Sequence, residues 1–207
     1  MLNNPIIQDL LCKLKEPLPG AEAQFEMAHI NREKTELKNI LAENYKNSAV
    51  LLLLVKNERG FYIPLTERHD YEGVHSGQIS LPGGKKEEGD LTLESTALRE
   101  CFEETGLKGE IKILGNLTPV YIPVSKFMVH PFVGVYNETK VDFRTDDTEV
   151  KNLLQLGLDE LKNPAIIKQT VVNTWSGYKL KTPYFDVQGK VVWGATAMIL
   201  NEFKKLL

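Results

Sequence analysis

The sequence of 207 residues contains only two cysteines, Cys12 and Cys101. They do not form a C-x-x-C pair, which excludes a zinc knuckle and a thioredoxin-like redox motif. Two cysteines in a chain of this size are typical of free thiols in a reducing compartment, although their number alone also allows one disulfide.

Long apolar runs and an excess of positive charge are absent as well. The run "AVLLLLV" at 49–55 has seven residues, whereas a helix that crosses a bilayer needs about 20. The N-terminal stretch lacks the regions of a signal peptide, and the final "KKLL" is not the peroxisomal address. The formal net charge of -3 provides no basic footprint for a nucleic-acid backbone. We therefore expect a cytoplasmic protein that binds neither membranes nor nucleic acids.

The pattern of apolar residues predicts alternating helices and strands. The predicted helices cover residues 4–15, 31–46, 90–106 and 195–207. The predicted strands cover residues 48–55, 61–68, 77–84, 110–122, 127–136 and 179–187. A proline–glycine stretch at 17–24 is expected to break the helical pattern, and 137–150 is predicted to be a polar loop. This order predicts one α/β domain with a mixed sheet between helices. Residues 1–45 are predicted to form a helical extension packed on a domain of residues 46–207.

The stretch "LRECFEETGL" at 98–107 places three glutamates and an arginine on a helix that ends at a glycine. On a helical wheel, one side is apolar and is expected to pack on the core; it carries Leu98, Cys101, Phe102 and Thr105. The glutamates gather on roughly the opposite side; they are Glu100, Glu103 and Glu104.

Three like charges on one face repel one another by a few tenths of a kcal/mol per pair. Arg99 can pair with Glu103, and a hard divalent cation with oxygen ligands would neutralise the remaining carboxylates. The alternative is a solvated acidic face. The preceding "LPGGKKEEGD" adds a glycine-rich turn where the backbone can approach a phosphate closely, which favours the metal interpretation.

The segment "GGKKEEGDLTLESTALRECFEETGL" at 83–107 resembles the Nudix box, the signature of hydrolases that cleave a nucleoside diphosphate linked to another group. The box reads G-x5-E-x7-R-E-U-x-E-E-x-G-U, where U is a bulky apolar residue. Its second half is intact from Arg99 to Leu107, with Cys101 at the first apolar position. Asp90 stands where Glu is usual, and one additional residue precedes Arg99. The resemblance implies the Nudix-type α/β/α sandwich with a mixed β-sheet between helices.

The segment "LTERHDYEGVHSGQISLPGG" at 65–84 resembles the stretch that precedes the box in the coenzyme A diphosphatase branch of this family. The positions that match are Leu65, Thr66, Arg68, His75, Gly77, Gln78, Ile79, Pro82, Gly83 and Gly84. Leu81 replaces the commoner Phe. This likeness implies hydrolysis of coenzyme A or a derivative at its diphosphate, dependent on Mg²⁺ (or Mn²⁺). A homodimer is compatible with the sequence.

The resemblance also implies roles for single residues. The implied metal ligands are Glu100, Glu103, Glu104 and the carbonyl of Gly84. The implied catalytic residues are Arg99, Glu103, Glu104 and, as a loop candidate for the general base, Glu149. The implied substrate-binding residues are Arg68, His75, Gly83, Lys85 and Lys86. For the base the alternative is a solvated acidic loop, and for the lysines and Arg68 it is a solvated surface charge.

Three other functions remain open at this point. The first is a Nudix hydrolase that acts on another nucleoside diphosphate derivative, such as ADP-ribose or NADH. The second is a Nudix module that binds a ligand without cleaving it, and the third is an interaction protein with an acidic helix. The intact glutamates argue against the second function, and the glycine-rich turn argues against the third.

Overall fold

The structure is a computed structural model that describes residues 1–30, 32, 44–69, 77–138, 140–146, 148–173 and 177–207. The helices are α1 (Pro5–Lys13), α2 (Gly20–Phe25), α3 (Leu93–Thr105), α4 (Leu158–Lys162) and α5 (Gly194–Lys204), with a 3-10 turn at Pro164–Ile166. The strands are β1 (Lys46–Asn57), β2 (Gly60–Arg68), β3 (Ile79–Ser80), β4 (Gly83–Lys85), β5 (Ile111–Asn116), β6 (Val120–Ile122), β7 (Phe127–Tyr136), β8 (Val150–Gly157), β9 (Ile167–Asn173), β10 (Lys179–Val187) and β11 (Lys190–Val192). Within these residues, no helix is long and apolar enough to span a membrane.

An eight-stranded mixed sheet forms the centre of the molecule. Its main path runs β3-β2-β1-β7-β5, while β4 pairs with β1, β6 with β7 and β8 with β2. Strands β1 and β7 are parallel, and the other pairs of this sheet are antiparallel. Strands β9, β10 and β11 form a separate three-stranded antiparallel sheet.

The middle of strand β1, residues 49–55, is continuously apolar, and both of its faces are covered. Ala49, Leu51 and Leu53 pack in a core that includes residues of α3. Leu52 and Leu54 point the other way, into the core that receives α1 and α5. A strand buried on both faces shows a continuous apolar run instead of alternation. The predicted α/β sandwich, with a mixed sheet between helices, is confirmed.

A buried glutamate joins the first and last parts of the chain. Glu202 of α5 is 0% exposed, and its carboxylate accepts hydrogen bonds from Gln24 Nε2 at 2.7 Å and from Thr118 Oγ1 at 2.7 Å. The backbone N–H of Gly20 also donates to it, at 3.2 Å. These donors offset the cost of burying a charge, so α2 is held against α5. The domain boundary at residue 45 stays a prediction.

The structure differs from the sequence predictions in several segments, of which three follow. The predicted break at 17–24 is wrong at its end, because Gly20–Phe25 forms α2. Contacts with α5 stabilise this helix, although its local helix propensity is weak. The helix predicted over 31–46 lies largely outside the described residues, and its last residue, Lys46, begins β1. No strand was predicted between residues 150 and 173, where β8 and β9 form.

Candidate active site

Helix α3 carries the charged stretch, and local chemistry fixes both of its ends. Thr92 and Ser95 exchange hydrogen bonds between side chain and backbone at 3.0 Å each, which is a reciprocal cap of the first turn. Gly106 ends the helix with a φ of 60°. A Cβ at this position would lie 2.1 Å from the carbonyl oxygen of Arg144, so only glycine fits. The predicted helix and its glycine end are confirmed.

Arg99 binds three acidic side chains of the box. Its guanidinium holds Asp90 through two bonds, Nε to Oδ1 at 3.0 Å and Nη2 to Oδ2 at 2.9 Å. Its Nη1 donates to Glu100 at 3.0 Å and to Glu103 at 2.8 Å, and Nη2 donates to the carbonyl of Lys85 at 3.3 Å. The hydrogen bonds from Arg99 hold the pKa of Asp90 far below its ordinary range. The aspartate at the unusual position is therefore the main anchor of this arginine.

Glu104 is the most buried glutamate of the box, with 2% of its surface exposed. Thr66 Oγ1 donates to Glu104 Oε2 at 3.0 Å, and Arg68 Nη2 donates to Oε1 at 3.1 Å. Burial raises the pKa of Glu104 to about 7, although Arg68 and Thr66 counteract part of this rise. The two donors are two residues apart on β2 and therefore point to the same face of the sheet.

Two glycines of β4 allow the backbone to come close to Glu100 and to β1. A Cβ on Gly84 would lie 2.4 Å from Glu100 Oε1, and a Cβ on Gly83 would lie 2.4 Å from the carbonyl oxygen of Ala49. Any side chain at Gly84 would occupy the space of the Glu100 carboxylate. The glycine-rich turn therefore serves a close approach between β4 and α3.

Glu149 ends the polar loop before β8 and shares the electrostatic environment of the box. Burial raises the pKa of Glu100, and the negative charges of Glu103 and Glu149 raise it further. The charge of Glu149 also contributes to the raised pKa of Glu104. The charge of Glu149 therefore acts on two box glutamates that lie more than 40 positions before it in the chain.

The donor chemistry of this region fits a hard divalent cation. Glu100 and Glu104 supply carboxylate oxygens, the ligands that Mg²⁺ and Mn²⁺ prefer, and a positive ion would offset the repulsion and desolvation that raise their pKa values. Across the part of the chain that the structure describes, no three His, Cys, Asp or Glu side chains form a ready metal cluster. Arginines bind the box carboxylates instead, Arg99 at Glu100 and Glu103 and Arg68 at Glu104.

The predicted division of α3 into an apolar buried side and an acidic outer side is partly wrong. Phe102, expected in the core, is 49% exposed, whereas Glu104 is buried. Cys101 and Thr105 are buried as predicted. The helix is rotated so that Glu104 faces the sheet, where Thr66 and Arg68 satisfy its oxygens.

The other residues predicted to bind substrate differ in their surroundings. Lys85 and Lys86 are exposed beside the box. Arg68 is paired with Glu104 instead of being a separate surface charge. His75 lies outside the described residues. The substrate roles of these residues stay predictions.

Two cavities lie at the C-terminal end of α3 and not at the glutamates. The first has a volume of about 310 Å³ and is lined by Gly106, Lys108, Tyr136, Lys140, Asp142 and Arg144. The second has a volume of about 330 Å³ and is lined by Leu98, Phe102, Leu107, Lys108, Gly109 and Ile111. Because neither lining includes a box glutamate, the carboxylates face a surface outside both cavities.

Sequence reasoning did not assign a role to Thr66, which binds the most buried carboxylate of the site. The sequence did contain one indication: Thr66 and Arg68 are two residues apart on a predicted strand, and such residues point to the same face of a sheet. The partner on α3 lies 38 positions away, and no local pattern indicates that distance.

Comparisons with known proteins identify the family to which this fold and this site belong. The family model of the NUDIX domain matches residues 45–172, more than half of the chain. The chain belongs to the NUDIX family. This membership confirms the resemblance at the box. Nudix hydrolases are pyrophosphohydrolases that act on phosphorus anhydrides and generally use divalent metals such as Mg²⁺ or Mn²⁺, with small nucleotide-derived molecules as substrates.

Individual relatives agree with this assignment. Two proteins named "Uncharacterized Nudix hydrolase NudL", from Yersinia pestis (strain Pestoides F) and Yersinia pseudotuberculosis (serotype O:1b, strain IP 31758), are 28% identical over 188 residues; the match covers 86% of this chain and 92% of each relative. The solved structure of the Nudix hydrolase RenU from M. smegmatis aligns with a TM-score of 0.52 at 14% identity, covering 87% of this chain and 92% of that one. The MutT protein of Methanosarcina mazei Go1 aligns with a TM-score of 0.50 at 19% identity, covering 79% and 96%. The structural likeness shows the shared fold.

Proposed function

We propose that this protein hydrolyses the diphosphate bond of coenzyme A or a derivative with the help of Mg²⁺ or Mn²⁺. The products are 3′,5′-ADP and 4′-phosphopantetheine, or its acyl form. The observation that carries this proposal is the close approach of Gly84 to Glu100, whose charge acts on the buried Glu104, with Arg99 and Arg68 as the counter-ions of the two carboxylates. A diphosphate is anionic and repels a nucleophile, and a bound divalent cation reduces this repulsion and acidifies a water.

The glutamates of the box have different roles as metal ligands in this proposal. Glu100 and Glu104 are the main metal ligands, because their carboxylates are largely buried, with 16% and 3% of the side chains accessible, and a buried negative charge requires a positive partner. Glu103 contributes from a more exposed position, with 52% of its side chain accessible, and the carbonyl of Gly84 adds a further oxygen. Arg99 orients the carboxylates from behind, a supporting role that is common around metal ligands.

Glu149 is the proposed general base for the attacking water. Its charge influences both Glu100 and Glu104, which supports a position near the reacting groups. The backbone N–H of Glu149 binds the carbonyl of Asp146 at 3.0 Å, and this turn orders the end of the loop. The alternative places the base on α3 itself, at Glu103 or Glu104.

The substrate side rests on the likeness of segment 65–84 to the coenzyme A branch. Two of the matching positions, Thr66 and Arg68, contact Glu104, which supports a functional reason for this segment. Lys85 and Lys86, with the backbone of Gly83 and with His75, are proposed to bind the phosphates and the attached groups. The cytoplasmic location and the homodimer also stay predictions.

Hydrolysis of another nucleoside diphosphate derivative would depend on the same carboxylates. ADP-ribose and NADH contain the same type of anhydride, so cleavage of these molecules would retain the metal site and change only the pocket. The intact glutamates argue against a module that only binds.

A panel of substrates tests this proposal. The protein is incubated with coenzyme A, ADP-ribose and NADH, each with Mg²⁺, Mn²⁺ or EDTA, and products are separated by chromatography. We expect 3′,5′-ADP from coenzyme A with metal and none with EDTA. Cleavage of only ADP-ribose or NADH would contradict the coenzyme A assignment, and cleavage of none of them with either metal would contradict the proposed activity.

A further inference from the structure

The carboxylate of Asp90 is buried and accepts four hydrogen bonds. Its Oδ1 accepts from Arg99 Nε at 3.0 Å, and its Oδ2 accepts from Arg99 Nη2 at 2.9 Å. Oδ2 also accepts from the backbone N–H of Glu87 at 2.9 Å and from Thr96 Oγ1 at 3.0 Å. Asp90 is 8% exposed, and an additional methylene in a buried position forces its surroundings to shift. A longer side chain on the same backbone would therefore disturb these four bonds.

A tight turn of the backbone brings Asp90 to this position. The N–H of Asp90 donates to the carbonyl of Glu87 at 3.1 Å, while Asp90 Oδ2 accepts from the N–H of Glu87. The turn is thus closed by two bonds between the same two residues. Thr92, two positions after Asp90, already caps α3 together with Ser95. One residue, Leu91, therefore separates the closed turn from the capped helix.

Leu91 is the position that accommodates the additional residue of the box. The cap fixes the register of α3 from Thr92 onward, and the hydroxyl of Thr96 binds both the carbonyl of Thr92 and the carboxylate of Asp90. An insertion within the helix would rotate every later side chain by about 100°. Leu91 lies before the cap and is 92% exposed although it is apolar. Its contribution is therefore the length that it adds to the backbone.

The length of the backbone and the length of the acidic side chain have compensating effects here. Aspartate has one methylene fewer than glutamate, so its carboxylate reaches about 1.5 Å less far. One additional residue provides up to about 3.4 Å of chain, which allows the backbone of Asp90 to lie closer to α3. The shorter side chain then still reaches the guanidinium of Arg99.

We propose that Asp90 and Leu91 form a matched pair that positions Arg99, in which the additional residue compensates for the short acidic side chain. Arg99 in turn binds Glu100 at 3.0 Å and Glu103 at 2.8 Å through Nη1, so its position determines theirs. Asp90 is thus a positioning residue for the box carboxylates. The consequence for a divalent cation rests on the proposed function.

Three variants and a control test the matched pair without the metal. Asp90→Glu lengthens the side chain, deletion of Leu91 shortens the backbone, and the variant with both changes restores the usual spacing of the Nudix box. Leu91→Ala keeps the backbone length and is the matched control. In EDTA, the Nε–H signal of Arg99 in a ¹H–¹⁵N spectrum, assigned with Arg99→Lys, reports the bond to Asp90. We expect this signal in the wild type, in the control and in the combined variant, and its loss in both single variants.

Calorimetric titration with Mn²⁺ measures the effect on the carboxylates. Asp90→Glu and the deletion of Leu91 should each weaken binding by about tenfold, the lower end of the range for residues that orient metal ligands. The combined variant should bind within about threefold of the wild type, a non-additive result that independent changes do not give. Leu91→Ala should bind Mn²⁺ like the wild type.

The outcomes separate the matched pair from the proposed function. If the wild type binds no Mn²⁺ but the Nε–H signal follows the expected order, the pair is supported and the metal assignment fails. If either single variant keeps the signal and the Mn²⁺ affinity of the wild type, the pair is overturned; for Asp90→Glu this result would show that a negative charge near the helix N-terminus is sufficient. A combined variant that does not fold, or that is no better than the single variants in both measurements, would overturn the pair too.

Discussion

The raised pKa of Glu104 predicts that stability depends on pH in a way that one substitution removes. The carboxyl of Glu104 is buried, and its pKa is about 7 in the folded state. The ordinary value, 4.5, applies to the unfolded chain. Between these two values the unfolded chain has lost the proton and the folded protein has kept it. The contribution to stability is therefore fully present below the lower value and is lost as pH rises through the higher one.

The magnitude follows from the same two values. One pKa unit corresponds to about 1.4 kcal/mol, so complete ionisation of Glu104 costs the folded protein about 3 kcal/mol. Of this contribution to the free energy of unfolding, roughly 1 kcal/mol is already lost at about pH 5, and the remaining 2 kcal/mol or so is lost by about pH 8. Glu104→Gln keeps the shape of the side chain and cannot ionise. We expect the free energy of unfolding of this variant, relative to the wild type, to rise by about 2 kcal/mol over that interval.

Urea unfolding in EDTA at the two pH values measures this difference directly. Glu94→Gln, an exposed position on the same helix, is the matched control and should follow the wild type at both values. If Glu104→Gln is destabilised by the same amount at both pH values, the buried carboxyl does not hold a raised pKa and the reasoning is wrong.

Three further predictions concern the packing around the box. Thr66→Val removes the 3.0 Å bond to Glu104; we expect a loss of about 1–2 kcal/mol in urea unfolding, and an unchanged midpoint would contradict it. Gly84→Ala would place a Cβ 2.4 Å from Glu100 Oε1; displacement of this carboxylate should weaken Mn²⁺ binding, measured by calorimetry, by about tenfold or more. Gly106→Ala forces a side chain into a φ of 60° beside a carbonyl oxygen 2.1 Å away; thermal unfolding should show a loss of at least about 1 kcal/mol.

The elements that the sequence predicted well are those whose signals are local. The run at 49–55 predicted a strand buried on both faces, and both faces of this part of β1 are covered. Helix α3 begins at a reciprocal cap and ends at a left-handed glycine, and both signals lie within a few residues of the helix ends. The helical spacing also predicted the pairing of Arg99 with Glu103, which the structure contains.

The features that were missed depend on partners far away in the chain. A helical wheel gives the angle between two side chains but does not tell which side turns toward the sheet. Glu104 is buried because β2 supplies Thr66 and Arg68, and this leaves Phe102 on the outside. Helix α2 forms against α5 through Glu202, more than 170 positions later in the chain. Local propensity carries no information about such contacts.

The binding of Mn²⁺ shows whether the glutamates of the box hold a divalent cation. Isothermal titration is carried out on the wild type, on Glu100→Gln and on Glu110→Gln, a substitution on the protein surface outside the box. We expect saturable binding to the wild type and to Glu110→Gln, and binding at least about tenfold weaker to Glu100→Gln. Equal binding by all three proteins, or no binding by the wild type, would contradict it.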